Sequence, residues 1–271
     1  MNSREAAAMV AAALECAGVP AIRLEAEYLV RHAAGLDRVG YFLAPELDST
    51  QAARIAAAVE RRIAREPLPY IVREREFWGR PFIVTPDALV PRPETELLVE
   101  FALHEARAGE VVADVGTGTG CVAISLALDR PDLRVLGTDR SVAALAVAAA
   151  NALRHRASIH LAAGDLATAV GHAAVVVANL PYIPTAEILA LEPEIRDWEP
   201  LIALDGGEDG LTLIRRLADD CAARLRPRAL AVEVAYGQAP DVAASVRQHG
   251  AAVEVIKDLA GIDRVVVARW A

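Results

Sequence analysis

The sequence predicts an α/β protein: a seven-stranded, doubly wound sheet whose last strand runs antiparallel, preceded by a small helical domain and a β-hairpin connector. Three observations predict it. After Gly109, short apolar runs of strand character alternate with helical segments, the pattern of parallel strands joined by helices on both faces of a sheet. The last two runs, Val253–Lys257 and Arg264–Trp270, are separated by too few residues around Gly261 for a crossover helix, so they must pair antiparallel. Residues 1–75 carry helical patterning and little else.

The elements follow in order. Asn2 and Glu5 have the spacing of a capping box, and Gly18 stands where the first helix should stop. Glu5 and Glu15 interrupt the apolar Met1–Pro20 stretch at helical spacing, which reads as an amphipathic helix and not as a signal peptide. A second helix is expected over roughly Ala21–Ala34. A third should begin near Asp48 or Ser49 and run through Ile63 until Pro67 and Pro69 end it.

From Glu76 the character changes. Phe77-Trp78-Gly79-Arg80-Pro81-Phe82-Ile83-Val84 sets a Gly-centred turn between apolar runs, so residues 76–90 read as a hairpin connector. Pro91-Arg92-Pro93-Glu94 then opens a helix and the third domain, residues 91–271, with proline preset for the first turn and acids suited to the positive helix end. Strands are expected at Val111–Val115, Leu133–Thr138, Ile159–Ala162, Ala173–Ala178 and Ala229–Ala235 before the final pair. Helices should reach Arg130 and about Arg156, cover Leu211–Leu225, and reach His249.

Composition narrows the function. Hydrophobic residues make up 54% of the 271 positions and aromatics only 4%, and alanine runs such as Ala148-Ala149-Ala150 favour closely packed helices. A net charge of −9 argues against a phosphate-neutralising surface and for a basic protein partner over nucleic acid. Cys16, Cys121 and Cys221 have no C-x-x-C spacing and the six histidines no ligand pattern, so neither disulfides nor a metal site are expected and a reducing, cytoplasmic setting is the default. No apolar run approaches the ~20 residues of a membrane span.

Asp114-Val-Gly116-Thr117-Gly118-Thr119-Gly120 follows a strand and opens a helix, where ligands bind at the carboxyl edge of a doubly wound sheet. The G-x-G-x-G spacing differs from the dinucleotide fingerprint, and a carboxylate at Asp114 would repel a pyrophosphate. It suits a ligand with a cationic amino-acid end. S-adenosylmethionine has that end, and the pattern resembles the first motif of the methyltransferases that use it. Asp139 closes the second strand, placed to accept hydrogen bonds from both ribose hydroxyls or to cap the helix at Val142. Asp165, in Gly164-Asp165-Leu166, is placed to meet an adenine amino group.

The apolar run Ala173–Ala178 delivers Asn179-Leu180-Pro181-Tyr182 to the same edge. An amide nitrogen is a poor nucleophile because its lone pair is delocalised. The Asn179 side-chain oxygen and the Leu180 carbonyl can each accept one N–H of a target amide, leaving the lone pair aimed at an activated methyl. Pro181 restricts Leu180 to extended backbone, and Tyr182 offers a flat face for stacking.

The tetrapeptide resembles the [DNS]-[PL]-P-[YFW] signature of amino-methyltransferases, which act on adenine N6, cytosine N4 or glutamine N5. Phe77–Phe82, Leu89–Glu96, Arg196–Gly207 and Gly261–Val265 are similar to segments of the HemK-type release factor N5-glutamine methyltransferases, a resemblance that spans nearly the whole chain. It implies a class I methyltransferase sheet and S-adenosyl-L-methionine as cofactor, lined by Asp114, Gly116, Thr117, Gly118, Thr119, Gly120, Asp139, Asp165, Leu166 and Asn179. It implies Asn179, Leu180, Pro181 and Tyr182 as the grip on the glutamine of a release factor's Gly-Gly-Gln loop. The helical domain would dock that protein substrate, with the enzyme a monomer and neither nucleic acid nor membrane contacted. Leu180 replaces the family's usual proline, and Leu166 stands where an aromatic often flanks adenine. Alternatives are a glutamine methyltransferase of a ribosomal protein, a nucleic-acid adenine methyltransferase, and a non-enzymatic binding module.

Overall fold

In the computed structural model, which describes residues 1–19 and 22–270, the chain divides into two units. Met1–Glu74 and Glu192–Trp198 form the first; Arg75–Leu191 and Glu199–Ala271 form the second.

In the first unit, α1 (Ser3–Cys16) starts from the capping box: Asn2 Oδ1 accepts the Glu5 N–H at 2.9 Å and Glu5 accepts the Asn2 N–H at 3.0 Å. α2 spans Ile22–Ala34; Pro20 and the expected start at Ala21 lie outside the described residues, as does Ala271. Two five-residue helices, α3 (Arg38–Phe42) and α5 (Leu68–Val72), lie beyond the sequence expectation. Between them, α4 (Ser49–Ile63) has its own capping box from Asp48 and Gln51 and stops at Ile63, before Pro67 is reached. Arg65 adopts φ +67°, and Pro69 sits inside the first turn of α5, so the prolines open a helix instead of closing one. Leu14, Leu29, Val30 and Ile55 fill the core of this unit.

The second unit begins at Arg75, within the first strand of the hairpin β1 (Glu74–Phe77) and β2 (Arg80–Ile83). Its turn residues, Trp78 at φ +52° and Gly79 at φ +66°, are both left-handed, as a tight two-residue hairpin demands. Trp78 lacks glycine's freedom there, and its bonds offset the strain: its backbone N–H donates to Glu96 Oε1 at 2.7 Å and its indole N–H to Asp129 at 2.6 Å. A 3-10 turn, Pro93–Thr95, leads into α6 (Glu96–Glu105).

The sheet elements then alternate: β3 (Val111–Val115), α7 (Cys121–Asp129), β4 (Arg134–Asp139), α8 (Val142–His155), β5 (His160–Ala163) and β6 (Val175–Ala178). After the short α9 (Pro193–Arg196) come α10 (Thr212–Asp220), β7 (Ala229–Glu233), α11 (Ala239–Gln248), β8 (Ala252–Lys257) and β9 (Asp263–Arg269). The helix expected at Leu211–Leu225 is α10 continued by a π-helical turn over Cys221–Leu225. The seven strands are ordered β5-β4-β3-β6-β7-β9-β8, with β9 antiparallel to both neighbours and the other pairings parallel. The chain winds outward from β3 in one direction and from β6 in the other, so the crevice of a doubly wound sheet opens at their carboxyl ends. Two apolar layers cover the faces, one around Val176, Ile214 and Leu230, the other around Val112, Ile124 and Val177. Among the described residues, no helix is long and apolar enough to cross a membrane, and no group of three or more His, Cys, Asp or Glu could hold a metal ion.

Candidate active site

The loop after β3 is set by backbone bonds. Gly116 and Thr117 N–H both donate to the Thr138 carbonyl, at 2.8 and 2.9 Å, which fastens the loop to β4. Gly116, at φ +78°, lies against the β6 loop: a Cβ there would stand 3.1 Å from Leu180 Cδ2 and 3.5 Å from the Asn179 carbonyl. Asn151 of α8, fully buried, accepts the Ile83 N–H and donates to the carbonyls of Ile83 and Thr119, joining hairpin, helix and loop.

Asp114 is buried, and burial pushes its carboxyl up to about 6. Its Oδ2 accepts from the Thr117 hydroxyl at 2.6 Å and the Ala123 N–H at 3.2 Å, whereas Oδ1 takes no hydrogen bond from the described residues. Asp139, at the tip of β4, accepts the Gly118 N–H at 3.0 Å and the Ser141 N–H at 2.9 Å. It does not cap α8; Ser141 does, accepting from the Ala144 N–H. Asp165 pairs with Arg216 at 2.6 Å across an exposed surface. Leu166 adopts φ +50° with its side chain buried.

At the tip of β6, Asn179 Nδ2 donates to Thr95 Oγ1 at 2.9 Å, and the Thr95 hydroxyl donates to Glu233 Oε2 at 2.7 Å. Neither Asn179 Oδ1 nor the Leu180 carbonyl accepts a hydrogen bond from the described residues. The following backbone is fixed by Ile183 N–H donating to the Leu204 carbonyl at 3.1 Å and Gly206 N–H to Ile183 at 2.9 Å. Gly206 and Gly210 leave no room for a Cβ, which would fall 2.7 Å from the Pro181 carbonyl and 2.2 Å from the Tyr182 carbonyl respectively.

One cavity, about 960 Å³ with its open mouth included, gathers Asp114, Gly116, Thr117, Gly118, Thr119, Asp139, Asp165, Leu166, Asn179, Leu180 and Pro181. Two expected site residues do not line it. Gly120 is a packing residue: at φ +79°, its Cβ would stand 3.1 Å from Ala148 Cβ. Tyr182 packs its ring against the sheet core and turns its hydroxyl to Glu233 at 3.4 Å, which anchors the loop. Sequence reasoning missed Thr95, Glu233, Asn151 and Glu199, whose two carboxylate oxygens accept from one Arg92 nitrogen at 2.7 and 2.8 Å. Glu233 did leave a signal, as the one acid in the otherwise apolar run Ala229–Val234.

A crevice between β3 and β6, one carboxylate at the tip of β3 and another at the tip of β4 define a class I methyltransferase. The likeness of fold extends to a methyltransferase of Pyrococcus furiosus, with a TM-score of 0.55 at 18% identity over 82% of this chain and 98% of that one. Residues 5–72 match the PrmC N-terminal domain and residues 93–190 the methyltransferase small domain. The chain is 42% identical over 258 residues to the release factor glutamine methyltransferase of Geobacter sulfurreducens, covering 93% of this chain and 91% of that protein. With the release factor glutamine methyltransferase of Cereibacter sphaeroides it shares 43% identity across 99% of each chain. The chain belongs to the release factor glutamine methyltransferase family.

Proposed function

We propose that the protein transfers a methyl group from S-adenosyl-L-methionine to the side-chain N5 of the glutamine in the Gly-Gly-Gln loop of a peptide chain release factor. One observation carries the reading: two acceptor oxygens, Asn179 Oδ1 and the Leu180 carbonyl, stand unengaged at the tip of β6 beside the cavity.

The cavity's donor set fits the cofactor. Asp114 presents a buried carboxylate with one oxygen unused, suited to an ammonium group. Asp139 is held by two backbone donors at the strand tip where ribose hydroxyls are bound in such sheets. A Cβ at Gly118 would meet only the Gly116 carbonyl, at 4.0 Å, so the loop backbone itself faces the ligand. Asp165 and Leu166 border the adenine end. When bound, S-adenosylmethionine supplies a methyl carbon activated by a sulfonium centre.

The chain's own residues orient and hold. Asn179 Oδ1 and the Leu180 carbonyl each accept one N–H of the target amide, which fixes its plane and aims the nitrogen lone pair at the methyl. Pro181 holds Leu180 in extended backbone, so the carbonyl's direction survives the replacement of the family's usual proline by leucine. The helical unit docks the release factor, and the chain acts without contacting nucleic acid. Incubation with methyl-labelled cofactor should label a release factor, and replacing its loop glutamine by Ala should abolish the label. Asn179→Ala should lower kcat on the order of 100-fold while cofactor affinity stays within a few-fold. A folded, cofactor-binding protein that leaves the release factor unlabelled would overturn the proposal.

A further inference from the structure

We infer that Glu233 and Thr95 are positioning residues: a one-way hydrogen-bond relay from the Asn179 amide through Thr95 to Glu233 forces Asn179 to present its oxygen, and not its nitrogen, to the target amide. The inference rests on the proposed role of Asn179.

The relay follows from counting hydrogens. Glu233 is 2% exposed at the end of β7 and does not line the cavity, so it acts only through its partners. As a carboxylate it accepts hydrogen bonds and donates none. The single hydroxyl hydrogen of Thr95, itself 4% exposed, is therefore committed to Glu233 at 2.7 Å. Only a lone pair of Thr95 Oγ1 remains, and the group 2.9 Å away must donate to it, which selects Nδ2 of Asn179. Rotating the Asn179 amide by half a turn would set Oδ1 against that lone pair, two acceptors in a buried site with no hydrogen between them.

The consequence is chemical. With Nδ2 held by Thr95, Oδ1 is the atom left for an incoming N–H. With the amide reversed, an NH₂ group would face the target's NH₂, and the lone pair would lose its guide. The same carboxylate also receives the Tyr182 hydroxyl at 3.4 Å, so both ends of the tetrapeptide are tied to one buried anion.

Protonation of Glu233 would break the commitment, because the Thr95 hydrogen could then turn to Oδ1. Burial pushes the Glu233 carboxyl up to about 7. The groups facing it are Thr95 and Glu94 from the 3-10 turn, Tyr182 after β6, and Arg264 on β9. Glu94 opposes its ionisation; the Thr95 and Tyr182 hydroxyls and Arg264 favour it. Glu233 is ionised above about pH 7, so turnover should climb as pH rises through that value.

The test compares kcat, measured across pH 6 to 9, with cofactor Kd for Thr95→Val, Thr95→Ser, Glu233→Gln and Asn179→Ala in the full chain. Thr95→Val should lower kcat on the order of 30-fold at pH 8 to 9, with a smaller gap towards pH 6 where wild type loses the relay itself, and with cofactor Kd within twofold, because displacing a guiding group costs rate rather than binding. Thr95→Ser, which restores the hydroxyl, should recover most of it. Glu233→Gln should turn over at a rate that no longer changes between pH 6 and 8; if it fails to bind cofactor, the two Thr95 variants decide. Thr95→Val turning over like wild type while Asn179→Ala is inactive would overturn the relay and leave the role of Asn179 standing. Full activity in Asn179→Ala would remove the role itself.

Discussion

Asp114 concentrates the electrostatics of the cavity in one carboxyl group. Burial pushes it up to about 6, so it is ionised above that pH and increasingly protonated below it. An ammonium ligand needs the ionised form, and cofactor affinity should therefore fall as pH drops below about 6. Calorimetric titration from pH 5 to 8 would check this; affinity independent of pH would contradict it, and Asp114→Asn should be both weak and flat. The contrast between Asp114 and Glu233 also shows what residue-level reading can reach. Asp114 was legible because its neighbours in the chain, Gly116 to Gly120, announce a ligand loop. Glu233 finds its partner Thr95 at a separation of 138 positions, a proximity that only the folded sheet creates. Tyr182 shows the same limit: only the folded sheet reveals the core that its ring packs against.

At the scale of elements, the strand and helix alternation after Gly109 was readable to within one or two residues because the central strands β3, β6 and β7 are buried and apolar and short connections frame the rest. β3 occupies Val111–Val115, and β6 starts at Val175, two positions after the expected Ala173. The hairpin followed from its Gly-centred turn, and the antiparallel ending from the short connection around Gly261. The five-residue helices α3 and α5 were not readable, since neither completes enough turns to show a period, and Pro67 and Pro69 suit a helix start as well as a stop. Gly120 was legible as a required glycine, and the structure adds a packing reason for it. It lets α7 approach α8, where a Cβ would stand 3.3 Å from Ala148 Cα while φ is +79°. Gly120→Ala should cost about 3 kcal/mol of stability from backbone strain and overpacking together, read by urea unfolding without cofactor. A loss of cofactor affinity at unchanged stability would contradict this assignment.

For the whole molecule, the two units differ in what they can sense. Every residue lining the cavity belongs to the sheet unit, whereas Arg62 of the helical unit is enclosed by Glu25 and Glu194, the latter at 2.9 Å. Glu194 comes from Glu192–Trp198, a segment beyond β6 that the sequence placed with the sheet domain and that groups with the helices through Arg62 and Arg65. No local pattern marks such a return, because two arginines 129 and 132 positions away create it. Removing Arg62 takes from the enclosed Glu25 carboxylate its ion-pair partner and leaves Glu194 with Arg65 alone, so Arg62→Ala should destabilise by about 3 kcal/mol. Cofactor added to the protein should protect backbone amides around residues 114–119 and 139 from hydrogen exchange and leave 3–63 unchanged; protection confined to the helices would contradict the site. The most direct test of the central claim is a crystal structure with the demethylated cofactor product and a Gly-Gly-Gln peptide. It should show the glutamine amide nitrogen within hydrogen-bonding distance, roughly 3 Å, of both Asn179 Oδ1 and the Leu180 carbonyl. A bound peptide whose amide meets the Asn179 nitrogen, or neither oxygen, would contradict it.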